Sequence, residues 1–495
     1  MKKVFATILI GILIFCFWSP TFCIVKAEDN DWWDSDWGYR KEITINHDMV
    51  AANLENFPIL VHSKSTDFSC HAQPDGDDFV FVSIDRLKQY NHEIEYYDSS
   101  TGELIAWVNI TSLYSSEDTS LFIYYGNPRS SNQENIAGTW NSNFIGVWHC
   151  NNFVDNGIGD IKDSTIYNND GTTQEMEFED LVDGKISSAF NFGGIDEKVL
   201  VIGSQNGSLD LTDYLTLECW WKASDLSDSY NTLMGKTSSM GAWQYEYRIK
   251  DTYDLKNTYS FFTYGGDHFD NFSRSIDTWY YATVTYDTND IALYNNGEIS
   301  IIHESTEIKS TYAEFGFGAA GEYGNFFKGI IDEVRVSNLA RSEGWVKTSF
   351  NTMNNPEAFL SVGSEESKPE ENIPPNKPEI DGPYEGKPGV EYEYSFNSTD
   401  KNRDPVMYYI NWGDNNTEWT EYCDSGKEII LKHIWDEQGD YTIKAKAKDI
   451  NNTESKWSMY EITIPRFRAR INLWYEWLIE SFLILEKLII FFFQN

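Results

Sequence analysis

The chain has 495 residues, with 78 Asp and Glu against 38 Lys and Arg and a formal charge of −40. That length is enough for three or four domains. The acidic excess repels nucleic acid and anionic membranes, and it suits a solvated extracellular protein with carboxylates to spare for cations.

Residues 1–27 read as a secretion signal. Lys2 and Lys3 give the positive start, Ile8 to Trp18 the apolar core, and Val25-Lys26-Ala27 a small-residue cleavage site. The expected location is therefore extracellular or cell-surface. Of the six Cys, four lie beyond this segment: Cys70, Cys150, Cys219 and Cys423. They are far apart and form no C-x-x-C pattern, so no zinc signature is present. Cys219 sits in an apolar run and is expected as a buried thiol. Cys70 and Cys150 are candidates for a bridge, which spacing alone does not establish. Six N-x-[ST] sequons follow the signal, at Asn109, Asn206, Asn271, Asn397, Asn415 and Asn451.

Residues 28–135 contain short β-branched and aromatic runs between turn clusters: Phe57 to Val61, Phe79 to Val82, Ile94 to Tyr97, Ala106 to Ile110 and Leu121 to Pro128. This spacing predicts a β-sandwich. The opening, Trp37-Gly-Tyr39-Arg40-Lys-Glu-Ile43-Thr-Ile45, and the close, Phe122-Ile-Tyr-Tyr-Gly-Asn-Pro128, resemble an uncharacterised domain family of prokaryotic surface proteins. That resemblance implies a location and no activity.

Residues 140–365 continue the all-β pattern. Glu175, Glu177 and Glu179 stand at i, i+2, i+4, which on a strand places three carboxylates on one face. The spacing resembles the Glu, Asp, Glu line of laminarinase-type glucanases, which implies a nucleophile and an acid for retaining hydrolysis, but Glu177 stands where they have Asp, and an acidic loop or edge strand is the alternative. In Leu215 to Lys222, strand alternation gives Leu215, Leu217, Cys219 and Trp221 one face and Thr216, Glu218, Trp220 and Lys222 the other. A Trp on the polar face is a candidate sugar-stacking platform. Trp243, Tyr245 and Tyr247 share a face of the next aromatic run, either as ligand-binding rings or as core. Asp163, Asn168 and Asp170 form an oxygen-rich loop, able to hold calcium or to tie the turn by side-chain hydrogen bonds.

Three motifs follow in order: Trp279-Tyr-Tyr-Ala-Thr-Val-Thr-Tyr-Asp287, Leu293-Tyr-Asn-Asn-Gly297 and Lys328-Gly-Ile-Ile-Asp-Glu-Val-Arg335. Together they resemble the laminin-G-like, concanavalin-A-like jelly-roll family. The resemblance implies a two-sheet β-sandwich that binds ligands, often glycans, usually without catalysis. It also implies a structural Ca²⁺ at the position of Asp332 in the last strand.

Residues 366–378 carry four Pro and several charges and read as an extended linker. Residues 379–464 form a smaller β-module. Its Trp412-Gly-Asp414, His433-Ile-Trp435 and Gly439-Asp-Tyr-Thr-Ile-Lys-Ala-Lys-Ala-Lys-Asp449 resemble the polycystic-kidney-disease-type immunoglobulin-like repeat, which implies a spacer or a contact module. Trp412 is expected in its core, with Gly413 making the turn. Lys444, Lys446 and Lys448 alternate with Ile443, Ala445 and Ala447, predicting one packed and one basic face.

Residues 466–495 begin with Arg466, Arg468 and Arg470 and then turn apolar. Asn472, Glu476, Glu480 and Lys487 recur at helical spacing. Charges inside the run argue against a membrane span and for an amphipathic helix on a membrane surface, a partner or a second copy.

The fold class read here is all-β: tandem β-sandwiches, a jelly roll in the middle, an Ig-like module after it, and a short C-terminal amphipathic helix. No H-E-x-x-H, G-x-S-x-G, phosphate-binding loop or dinucleotide fingerprint is present. The expected function is non-catalytic recognition of glycans or surface proteins at a prokaryotic, archaeal surface, with no nucleic-acid partner. The alternatives are a glucanase-like jelly-roll hydrolase and a structural envelope protein.

Overall fold

The computed structural model describes residues 32–152, 158–237, 243–250, 256–304, 306–321, 324–465 and 473–493. The signal expected over 1–27 and the three Arg of 466–470 lie outside them. The chain divides into two units, Met1–Lys368 and Pro369–Asn495. It is all-β, as expected, with few helices.

The first unit holds two sandwiches. In the N-terminal one, a sheet ordered Leu360–Val362, Tyr39–Ile45, Thr119–Tyr125, Val80–Ser83, Gln89–Tyr90 faces a sheet ordered Leu54–Lys64, Glu103–Leu113, His92–Asp98. Alternation along Glu103–Leu113 explains how the second sheet is used. Trp107 meets Trp140 and His149 of the following sandwich, while Ala106 and Val108 take the opposite face.

The jelly roll packs two larger sheets. One is ordered Leu181–Asp183, Ser188–Gly193, Lys328–Ser337, Leu215–Ala223, Tyr280–Tyr286, Asp290–Asn295, Glu298–Glu304, with Phe144–Trp148 also pairing on Lys328–Ser337. The other is ordered Gly266–Phe269, Thr258–Thr263, Trp243–Lys250, Tyr230–Thr237, Phe315–Phe317, Lys198–Val201, Thr172–Gln174. Leu217, Cys219 and Trp221 enter the core between them, as alternation predicts.

The two sandwiches are not separated at 135–140. Leu360–Val362 and Glu366–Ser367, after the jelly roll in sequence, pair with Tyr39–Ile45 of the N-terminal sheet. A helix, Glu343–Asn354, lies between the sandwiches. Thr348 Oγ1 accepts the Ala51 N–H and Thr352 Oγ1 the Leu60 N–H, both at 3.0 Å. One continuous core runs from Ile43 and Phe57 through Trp140 and Phe144 to Trp220, Tyr281 and Trp345. The expected boundary dissolves because each part leaves an apolar face that the other covers.

The second unit is a small sandwich. Glu379–Asp381, Glu391–Asn397 and Ile429–Ile434 face Thr417–Trp419, Val406–Asn411, Gly439–Asp449 and Ser458–Ile464. Trp412 is buried and stacks on His433 at 4.6 Å, and Gly413 turns with φ +86°. Ile443, Ala445 and Ala447 are buried while Lys444 is exposed, but Lys446 and Lys448 lie over the rings of Trp457 and Trp419 rather than free in water. The segment 366–378 is not a loose linker. Its start joins the first unit's sheet, and in the second unit Asn372 donates to Asp449 and Thr453. Helix Leu473–Phe493 follows, and every side chain described along it, 477–490, is exposed or half-exposed.

Candidate functional site

The outer face of the seven-stranded sheet carries a groove. Along Trp243–Lys250, Tyr245, Tyr247 and Ile249 point into the core, so Glu246, Arg248 and Lys250 take the other face. Opposite them, Phe262 pairs with Glu246, and Asp267 pairs with Phe262. Trp243 breaks the period. Lys236 pairs with Tyr245 and Thr237 with Trp243, which leaves Gln244 as an extra residue in a bulge. Trp243 is thereby displaced from the core and is 43% exposed, its ring meeting the Phe262 ring edge-on at 5.5 Å. Tyr230 is 37% exposed. A cavity of about 290 Å³ opens between these rings, with Asn325 on its wall.

The polar floor is a fixed network. Arg248 donates to Glu246 Oε2 at 2.7 Å and to Asp267 Oδ1, and its guanidinium lies between the Tyr230 and Phe262 rings, 4.9 Å from each. Lys250 donates to Asp267 Oδ2 at 2.6 Å, and Ser260 to Oδ1 at 2.7 Å. Thr232 and Asn325 donate to Glu246 Oε1. Burial pushes the Asp267 carboxyl up, but Lys250, Arg248 and Ser260 outweigh it and hold it below the ordinary carboxylate value. Asp267 is therefore a poor general acid, which would need its pKa raised. The arrangement offers an apolar ring face beside rigid donors and acceptors, which suits a sugar's C–H face and hydroxyl pairs.

The other expected site residues fall elsewhere. Tyr245 and Tyr247 are wholly buried, donating to the carbonyls of Leu209 and Thr283. Trp220 leaves the inter-sheet core, as alternation predicts, yet it is no platform. It is 1% exposed, covered by Phe350 at 5.6 Å and Tyr281, with its Nε1 3.3 Å from Met353 Sδ.

Glu175, Glu177 and Glu179 do not share a face. Glu175 has φ +53° at a bend, Glu177 caps the short 3₁₀ turn Phe178–Asp180, and Glu179 lies within that turn. Buried Met176 anchors this loop, so the strand geometry required for the catalytic triplet is absent.

At the two separate positions expected to bind calcium, the carboxylates accept from the protein itself, with Asp332 Oδ1 left without a partner. Asp332 is fully buried, and its Oδ2 accepts the N–H groups of Lys185 and Ile186 at 2.8 and 2.9 Å. Asp163 accepts from Val147, Thr165 and Asn169, the turn-tying alternative, and Asp170 pairs with Lys162 at 2.7 Å. Cys70 is exposed on a helix while Cys150 is buried in the jelly-roll core, and both are free thiols. Cys219 is the buried thiol expected.

Sequence reasoning missed Tyr230, Glu246, Arg248 and Asp267. The signal for two of them was present, since Glu246 and Arg248 alternate with the tyrosines. Their partners come from other strands.

Residues 196–347 match the family described as the concanavalin A-like lectin/glucanases superfamily, of laminin-G type. No curated protein sequence matches the chain. Among solved structures, the PKD domain of an M14-like peptidase from a Thermoplasmatales archaeon is 48% identical, covering 19% of this chain and 100% of that one, with a TM-score of 0.19. Domain 4 of an extracellular arabinanase from Geobacillus stearothermophilus, solved with arabinotriose, is 18% identical over 42% of this chain and 98% of that one, with a TM-score of 0.34. A Trypanosoma rangeli sialidase is 12% identical over 43% of this chain and 34% of its own length, with a TM-score of 0.31.

Proposed function

We propose that the chain is an exported, surface-associated protein that binds carbohydrate, without cleaving it, in the groove of Trp243, Tyr230 and Arg248. The observation that carries this reading is the displacement of Trp243 from the core onto a groove whose polar floor is already cross-braced. A floor held in place loses little conformational entropy when ligand arrives. The signal-like segment 1–27 supports the export in this reading.

Attachment to a surface is assigned to the tail. Trp477, Phe482, Ile484 and Leu485 are each more than half exposed on helix Leu473–Phe493. Among the described residues no helix is long and apolar enough to cross a membrane; the exposed apolar side chains along the tail support a place at a lipid interface.

The test is a glycan array probed with the full chain and with Trp243→Ala and Arg248→Ala. Selective binding by the wild type, lost in both variants with unchanged circular dichroism, supports the reading. Binding that survives both variants moves the site elsewhere. Release of reducing ends from a bound glycan would establish an enzyme instead.

A further inference from the structure

A buried charge cluster lies where the two sandwiches of the first unit meet. Glu93 and Glu95 come from strand His92–Asp98 of the N-terminal sandwich. His149 follows strand Phe144–Trp148, and Glu333 and Arg335 lie on Lys328–Ser337 of the jelly roll. Between Glu218 and Trp220 the pairing with Lys328–Ser337 slips, and Glu333 takes φ +52° in that bulge. His149 Nδ1 then lies 2.6 Å from Glu333 Oε1 and 3.6 Å from Glu95 Oε2. Among the described residues this is the one group of three His, Cys, Asp or Glu whose ligand atoms lie within 4.8 Å of one another.

Each of these three side chains is held from behind. His149 Nε2 lies 3.3 Å from Glu93 Oε2, and Glu93 is itself fixed by Trp140 Nε1 at 2.7 Å and Ser164 Oγ at 2.6 Å. Glu95 Oε2 accepts from Trp107 Nε1 at 2.9 Å, and Glu333 Oε2 from Arg335 Nη2 at 2.5 Å. A carboxylate behind the far nitrogen of an imidazole is the usual support for a metal-binding His.

One atom is left over. Glu95 Oε1 has no hydrogen-bond partner, and the Glu95 side chain is 0% exposed. It shares a carboxyl carbon with Oε2, which lies 3.6 Å from His149 Nδ1. A buried carboxylate oxygen without a donor costs free energy unless something positive meets it.

We propose that Glu95, His149 and Glu333 bind one divalent transition-metal ion of the zinc class, which clamps the N-terminal sandwich to the jelly roll. One imidazole nitrogen with carboxylate oxygens suits zinc or a neighbouring first-row ion, whereas calcium takes oxygen ligands. Glu95 Oε1 supplies the fourth ligand atom. With no side chain of the group open to solvent the site is structural, and the ion enters as the chain folds.

The test uses the full chain, unfolded in denaturant with EDTA and refolded with or without Zn²⁺. Expected are about one zinc per chain by elemental analysis and a melting temperature raised by at least about 5 °C in the transition of the first unit. Glu95→Gln keeps an oxygen for the Trp107 N–H but loses the carboxylate charge. It should refold with native circular dichroism, hold at least about tenfold less zinc, and lose the zinc-dependent shift. If that variant fails to fold, Co²⁺ in the wild type decides: weak visible bands of nitrogen and oxygen ligation are expected. An intense thiolate charge-transfer band would put the metal on Cys150 and overturn the ligand set. Wild-type protein refolded with excess Zn²⁺ that holds no metal and melts as without it overturns the site, whatever the groove binds.

Discussion

Ile43 pairs with Val362 across adjacent antiparallel strands. The strand that completes the N-terminal sheet is therefore supplied by residues that follow the jelly roll. Neither sandwich of the first unit is complete without the other. Residues 32–368 are expected to unfold in one calorimetric transition, and 32–135 alone should remain unfolded, lacking Leu360–Val362 and Glu366–Ser367 at the sheet edge. Two well-separated transitions, or a folded 32–135 fragment, would show that the pairing is incidental.

Trp220 and Trp243 make a matched pair. Trp220 is 1% exposed and enclosed by Phe350, Tyr281 and Met353. Trp220→Ala is expected to cost about 3–5 kcal/mol in urea unfolding, the range for removing a buried large aromatic. Trp243, 43% exposed, should cost less than about 1 kcal/mol when truncated and should affect binding instead. A reversed order of the two variants in urea would place Trp243 in the structural core.

These two residues also mark how far the sequence could be read. Alternation alone separated Leu217, Cys219 and Trp221 from Trp220 correctly, because it depends only on the pleat. It could not show what covers Trp220, since the helix Glu343–Asn354 and the N-terminal sandwich arrive from distant parts of the chain. The same period failed for Trp243 because one extra residue, Gln244, shifts it, and a bulge leaves no mark in the residue pattern. Glu333 and His149 were invisible as neighbours for both reasons at once: a bulge turns one, and a separate strand brings the other. The Glu175 triplet failed because Glu175 adopts a left-handed backbone that ends the strand on which the argument depended.

Asp267 sets a pH dependence with a definite sign. Burial opposes its ionisation, but Lys250, Arg248 and Ser260 prevail and hold its folded pKa below the ordinary value of 3.8. A depressed carboxylate contributes stability above the unfolded-state pKa and loses it as pH falls through the lower folded value. Asp267→Asn should therefore destabilise the first unit by about 1–3 kcal/mol near pH 7, leaving Arg248 and Lys250 short of their partner. The gap from wild type should narrow only below about pH 4. A gap that is constant down to pH 2 would mean that the charge of Asp267 contributes nothing.

The C-terminal helix exposes apolar side chains around its circumference. Trp477, Ile479, Phe482, Leu483, Ile484, Leu485, Leu488, Ile489 and Ile490 are all about half exposed or more. The second unit's sandwich already closes its own core over Trp412, Trp435, Ile443 and Ile462. Left in water, such a helix is an aggregation hazard. A net charge of −40 argues against recruitment by anionic lipid, so lipid binding by this helix would rest on apolar insertion. The full chain is expected to float with zwitterionic phosphatidylcholine vesicles, and a chain ending at Pro465 should stay in the soluble fraction while keeping its melting transitions. Strand Ser458–Ile464, which completes the sheet beside Gly439–Asp449, is untouched by that truncation. If both chains remain soluble and only the full chain forms oligomers by light scattering, the helix packs on its own copies, and the lipid assignment fails.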